Sequence, residues 1–306
     1  MTMKIESLGL IGFGEVGSLF GAALSGRARV STYDRLLDQE PASSAMRERA
    51  IARGVAVAES LGELLADCQV VISAVTASEA LNVARDAAAR LRKGTCYLDV
   101  NSASPRTKAA CAERIDGAGG RYVEAAVMAP VAPYGLRVPM LLGGAHAAEF
   151  APALAALGFE AKAASERLGA VSAIKMCRSV MVKGLEALTI ECYIAARAYG
   201  VEGPVLASLA ETFPAIDWER QGDYFFERVR RHGRRRAEEM REAAATVRDI
   251  GLDGCLAQAT AQRQQWVADL ADAGVFRRAG GPWQDTADAA IESMRNGNGM
   301  EDKDAK

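Results

Sequence analysis

Short apolar runs and longer amphipathic stretches alternate through the first half of the chain. The runs at 8–11, 28–33, 70–75, 96–100 and 121–126 read as strands, and Ala-rich stretches such as 15–24 and 78–91 carry apolar residues at helical spacing. This alternation predicts a doubly wound parallel sheet covered by helices on both faces. A further run at 139–144 precedes a helical stretch at 147–157. After Gly158 the texture changes. Residues 168–199 hold no proline, keep apolar positions at helical period, and end at Gly200, a suitable C′ residue. Such a helix is about 48 Å long, enough to bridge two domains or two subunits. Beyond it the pattern stays helical, with Pro204 and Pro214 as punctuation. The expected organisation is an α/β Rossmann domain over 1–165, an all-α domain over 166–295 and a disordered polar tail over 296–306, the domains being joined by the long helix.

Composition agrees with a globular chain of two domains: 306 residues, 50% hydrophobic, 25% charged and 6% aromatic. The formal net charge of −2 argues against a nucleic-acid binder. The six cysteines (Cys68, Cys96, Cys111, Cys177, Cys192 and Cys255) form no C-x-x-C pair and no zinc-like cluster. They read as reduced core thiols, and no metal site is expected. No apolar run is long enough for a membrane span, and Glu6 and Glu15 interrupt any signal-like stretch. The expectation is a soluble, cytoplasmic protein.

The clearest chemistry lies at Gly12-Phe13-Gly14-Glu15-Val16-Gly17, entered by an apolar run and left by a helical pattern. In a dinucleotide site the first glycine permits the tight turn, the second admits the pyrophosphate, and the third lets helix and strand pack closely. Asp34 stands at the end of the second predicted strand, about where an acid that accepts from a ribose 2′-OH belongs. A carboxylate there favours NAD over NADP. Arg35, beside it, keeps NADP open through a phosphate contact or stacking on adenine. The bland reading is a plain glycine turn followed by a surface aspartate.

Three further stretches follow in order: Val75-Thr76-Ala77-Ser78, Asp99-Val100-Asn101-Ser102-Ala103-Ser104-Pro105, and a lysine, Lys175, on the long helix. With the glycine loop they resemble the β-hydroxyacid dehydrogenase family, related to 6-phosphogluconate dehydrogenase, over roughly residues 5–200. The later part resembles a divergent phosphogluconate-dehydrogenase-like NAD-binding branch. The resemblance implies cofactor contacts at Val75 and Thr76. It also implies a D-x-S-[ST]-x-x-P substrate motif at Asp99, Ser102 and Pro105, with Asn101 where serine is usual. The family's G-x-G-x-x-x-K-x-x-N-N motif places the catalytic lysine at Lys175, with Arg178 and Ser179 where asparagines are usual. Bracketed by Ile174 and Met176, Lys175 is snorkelling or partly desolvated, and desolvation lowers a lysine's pKa toward that of a general acid/base. Ser179 lies one turn further along its face, and Lys183 with Glu186 reads as a surface pair.

One family motif breaks. Where D-A-P-V-S-G-G holds a substrate carboxylate, this chain has Glu124-Ala125-Ala126-Val127-Met128-Ala129-Pro130. Proline carries no N–H, so the usual cradle is altered. Met128 makes the wall more apolar, which suits a substrate with an apolar or aromatic group. A repacked loop around the usual ligand is the alternative. The run Arg228-Val229-Arg230-Arg231-His232-Gly233-Arg234-Arg235-Arg236 is either a solvated helix face, with Glu238, Glu239 and Glu242 near, or a source of anion contacts with His232. His146 reads as structural, and Tyr224, Phe225 and Phe226 as core.

The reading is an NAD-dependent oxidoreductase, NADP being second choice, that interconverts hydroxyl and carbonyl on a β-hydroxyacid-like substrate with room for an apolar or aromatic group. Lys175 is the acid/base; Asn101, Ser102 and Ser179 orient the reacting oxygen; Met128, Ala129, Pro130, Arg178 and His232 select the substrate. The active site is expected between the domains, in a homodimer built on the long helix. An NADPH-dependent imine or ketone reductase and a non-catalytic dinucleotide-binding scaffold are the rival functions.

Overall fold

The computed structural model describes residues 4–277 and 279–301. It divides into two compact units, Met1–Cys177 and Arg178–Lys306. In the first, β1 (Ser7–Ile11), β2 (Arg29–Tyr33), β3 (Ala56–Val57), β4 (Val70–Ser73), β5 (Cys96–Asp99), β6 (Arg121–Val127), β7 (Met140–Gly143) and β8 (Ala161–Ser165) form one sheet. Their order is β3-β2-β1-β4-β5-β6-β7-β8. Between them run α1 (Glu15–Leu24), α2 (Ala42–Ile51), α3 (Leu61–Ala66), α4 (Ala80–Ala88), α5 (Pro105–Gly117) and α6 (Ala147–Ala156).

Strand residues are buried on both faces, which is why they appear as continuous apolar runs. Leu8, Leu10, Val70, Ile72, Leu98 and Val123 fill one layer, while Ile11, Val71, Tyr97 and Tyr122 fill the other. The sheet is parallel except for the β6–β7 pair. The connection over 128–139 holds only a 3-10 turn (Gly135–Arg137) and no crossover helix, so the chain returns antiparallel. Two strands escape the apolar pattern. β3 has two residues, and β8, Ala-Lys-Ala-Ala-Ser, is an exposed edge with nothing large to bury. The strand order reverses between β1 and β4, and loops at the carboxyl ends of strands flanking such a switch form the ligand crevice of open α/β sheets.

Helix α7 (Ala170–Tyr199) has 30 residues and carries the boundary between the units. The second unit continues with α8 (Glu202–Thr212), α9 (Trp218–Arg248), α10 (Cys255–Asp272) and α11 (Trp283–Glu301). Its core gathers Ile190, Tyr193, Phe226, Val229, Val267 and Trp283. Phe225 and Phe226 are buried, but Tyr224 is exposed and takes no part in that core. Helix α11 continues through Asn296 to Glu301, so it occupies the first part of the stretch expected to be disordered; 302–306 lie outside the described residues. Of the cysteines, Cys68, Cys96 and Cys111 are buried, while Cys177, Cys192 and Cys255 are exposed, so the core-thiol reading applies to three. Among the described residues no helix is long and apolar enough to cross a membrane.

Candidate active site

The glycine loop joins β1 to α1 at the switch point. Gly12 has φ +91°, and a Cβ there would sit 2.5 Å from the Ala74 carbonyl oxygen. A Cβ on Gly17 would run into the Gly12 carbonyl oxygen, so this turn admits only hydrogen there. Gly14 differs. It is exposed, a Cβ added to it would meet nothing within 4 Å, and it begins α1 without any side-chain cap. The open space lies over a helix N-terminus that Gly14 leaves without a side-chain cap, which suits a pyrophosphate.

Asp34 ends β2 and ties this loop down. Its Oδ2 accepts from Phe13 N at 2.8 Å and its Oδ1 from Leu36 N at 3.0 Å, capping the 3-10 turn Arg35–Asp38. Each oxygen keeps a lone pair, so the carboxylate can accept a ribose hydroxyl as well. Arg35 is exposed and pairs with Glu79 at 3.3 Å, which offsets the charge that it would bring to a 2′-phosphate. Arg49, which no sequence motif marks, donates to the Phe13 carbonyl at 2.7 Å and stacks on that ring at 5.7 Å. Tyr33, at the same strand end, has its phenol pushed up to about 12 by burial and by its bond to Asp38. It stays neutral at physiological pH. Glu15 is exposed and Val16 half-buried on the first turn of α1. The residues fit a dinucleotide.

The β4 and β5 ends are locked together beside this loop. Ala74 N donates to Ile11 O at 2.8 Å, and Val75 N donates to Asn101 Oδ1 at 2.7 Å. Asn101 Nδ2 donates to Ser73 Oγ at 3.0 Å, and Thr76 Oγ1 lies 3.1 Å from Ser78 Oγ. Asn101 is buried, and its amide ties the two strand ends together. Below it, Asp99 is fully engaged. It accepts from Asn101 N at 2.9 Å and Tyr122 OH at 2.7 Å, and pairs with buried Lys108 at 2.8 Å. Neither Lys108 nor this pairing was visible in the pattern, because an i, i+9 relation across a strand–helix turn has no periodicity.

Ser102, half-buried in the following loop, meets Lys175. Lys175 Nζ on the first turns of α7 donates to Ser102 Oγ at 2.7 Å. The start of α7 is held for this by Glu124, a fully buried carboxylate in β6 that accepts from Gly169 N at 2.6 Å. Gly169 has φ +86° and packs on Pro105. In the sequence Glu124 stood only as the first residue of the altered family motif, and its bond to Gly169, 45 residues on, has no local signal.

The altered loop leaves β6 at Met128, whose N–H donates to Pro139 O at 2.9 Å. Met128 and Ala129 are half-buried and Pro130 is exposed. One amide is spent on closing the turn, and Pro130 has none to offer.

In the second unit Arg178 is exposed and Ser179 is buried. Lys183 and Glu186 do not form the expected surface pair. Both are buried: Lys183 donates to Ser179 Oγ at 3.0 Å and pairs with Glu239 at 2.9 Å, while Glu186 takes Arg236 from two sides and Gln264 Nε2 at 3.3 Å. The arginine run on α9 is therefore mixed. Arg231 and Arg234 pair with Glu227 and Asp272 on the surface, Arg230 donates to the Ala279 carbonyl, His232 is half-buried, and Arg236 is core. His146 precedes α6, 4.0 Å from Glu149.

The model for the NAD binding domain of 6-phosphogluconate dehydrogenase matches residues 7–159, and a domain of unknown function, DUF1932, matches 196–267. A conserved hypothetical protein from Sinorhizobium meliloti 1021 is 36% identical, with a TM-score of 0.72 over 94% of this chain and 97% of its own. A conserved protein of unknown function, described as structurally similar to 3-hydroxyacid dehydrogenases, is 31% identical with a TM-score of 0.65, over 87% of this chain and 98% of its own. The Mycobacterium tuberculosis 3-hydroxyisobutyrate dehydrogenase, solved with L-serine, shares 18% identity and the fold, with a TM-score of 0.66 over 96% and 100%. The chain belongs to the family of the 6-phosphogluconate dehydrogenase NAD-binding domain, on a 3-hydroxyacid dehydrogenase-like fold that continues into a DUF1932 domain.

Proposed function

We propose that the protein is a dehydrogenase that interconverts hydroxyl and carbonyl on a β-hydroxyacid-like substrate, with Lys175 as the general acid/base. The observation that carries this reading is the bond from Lys175 Nζ to Ser102 Oγ at 2.7 Å. It aims an amine at the loop that leaves β5, beside the strand ends that flank the glycine loop. A nicotinamide dinucleotide bound there supplies or accepts the hydride. The N–H groups at Gly14 and the first turn of α1 would hold its pyrophosphate, and Asp34 its ribose. Asp34, together with the Arg35–Glu79 pair, favours NAD over NADP.

In oxidation neutral Lys175 takes the proton of the substrate hydroxyl; in reduction the ammonium returns it. Ser102 Oγ accepts from Lys175, so its own proton points to a substrate oxygen. Ser179, one helical turn beyond Lys175, accepts from Lys183 and likewise presents its proton as a donor. Half-buried Met128, in the loop that leaves β6, supplies apolar surface for the substrate.

The test is Lys175→Met. Titrated with NADH and NADPH by fluorescence, wild type and variant bind NADH alike, within about two-fold, and more tightly than NADPH. Turnover across a panel of 3-hydroxyacids falls by about 10²–10⁴ in the variant. Retained turnover overturns the role of Lys175, and an NADPH preference overturns the cofactor choice.

A further inference from the structure

Phe13, the second residue of the glycine loop, is held by all three of its groups. Its ring is fully buried in the core against Gly21, where a Cβ would come within 3.1 Å of it. Its N–H donates to Asp34 Oδ2 at 2.8 Å, and its carbonyl accepts from Arg49 Nη2 at 2.7 Å. Arg49 reaches it from the last turn of α2, which Met46 and Ala50 pack into the same core. The guanidinium also lies over the Phe13 ring. Neither contact carries a negative charge, so neither neutralises the cation.

We infer that Arg49 is a positioning residue for the dinucleotide's pyrophosphate, acting through the peptide that joins Phe13 to Gly14. The inference rests on the dinucleotide site proposed above. A trans peptide is planar and points its C=O and N–H in opposite directions. With Arg49 on the Phe13 carbonyl, the Gly14 N–H of the same peptide has a fixed direction, away from the guanidinium. A charged donor on the carbonyl also polarises the peptide, which makes that N–H a stronger donor. Gly14 is the exposed N-cap of α1, with open space at its missing Cβ. The electrostatics point to the same ligand. A cation is favoured at a helix C-terminus and disfavoured at a helix N-terminus. Arg49 stands at the C-terminal end of its own helix, yet it bonds the residue that precedes the N-cap of α1. Exposed Glu15 puts one negative charge on that first turn, and a pyrophosphate adds the rest.

The test separates the phosphates from the rest of the ligand. NADH is titrated by fluorescence, and ADP and adenosine are titrated in competition with it, on wild type and Arg49→Met. NADH and ADP bind the variant about 10-fold more weakly, whereas adenosine, which has no phosphate, binds both proteins within about two-fold. Arg49→Gln keeps the stem, drops the charge and gives the same split, so it carries the test if Arg49→Met does not fold. Equal ADP affinity in wild type and variants overturns the inference. So does a loss shared equally by adenosine, which marks a loop that has collapsed. A wild type that binds neither NADH nor NADPH overturns the dinucleotide site itself, and this inference with it.

Discussion

Gly12, Gly14 and Gly17 are one residue type answering three steric demands. At Gly12 the backbone is left-handed and main chain crowds the missing Cβ; at Gly17 main chain alone forbids it; at Gly14 nothing touches it. Gly17→Ala therefore disrupts the turn, lowering the melting temperature and abolishing dinucleotide binding together. Gly14→Ala leaves the melting temperature within about a degree, since surface substitutions away from special features stay within ~0.5 kcal/mol, yet weakens NADH binding in a fluorescence titration. The G-x-G-x-x-G spacing was legible because each position answers a local geometric need. The bonds of Asn101 were not, because its partners at Ser73 and Val75 are 28 and 26 residues away in sequence.

Among the elements, α7 shows where periodicity stops being informative. Its length and C-terminal glycine follow from pattern, and the structure gives 30 residues ending at Tyr199. Which polar residues on it face inward did not. Lys183 and Glu186 look like an exposed i, i+3 pair, but α9 and α10 cover them and supply Glu239, Arg236 and Gln264 as partners. Breaking the Glu186–Arg236 pair strands a buried carboxylate. Arg236→Met therefore costs about 3–5 kcal/mol in urea unfolding followed by helix content, and Glu186→Met with Arg236→Met together restores most of it. A double variant as unstable as the single one would mean that shape, not charge, governs this site.

For the whole molecule, acid exposes how the ends of the helical unit are tied. Arg197 near the end of α7 pairs with Asp288 on α11 at 2.8 Å and holds that carboxyl below its usual value of 3.8. A depressed folded-state pKa means stability that is fully present above the unfolded value and lost as pH falls through the folded one. Asp288→Asn therefore lowers the neutral plateau of a stability–pH curve slightly and flattens its acid limb below about pH 4, so that variant and wild type converge in acid. Thermal melts across the range from about pH 2 to 7 check this. An unchanged acid limb would remove Asp288 from that account.

The alternation of strands and helices in the first half, the glycine loop with its acid, and the all-helical second half were written in the chain alone. Each is a local or periodic property, set by steric freedom at glycine and by the alternation of buried and exposed positions. Tertiary structure decided the rest: the antiparallel turn into β7, the edge strand β8, the Lys175–Ser102 bond, the Glu124–Gly169 anchor and the burial of Lys183, Glu186 and Arg236. Those contacts join residues tens of positions apart. Whether a charge is a surface group or a core partner depends on what the rest of the chain lays over it, and no local pattern records that.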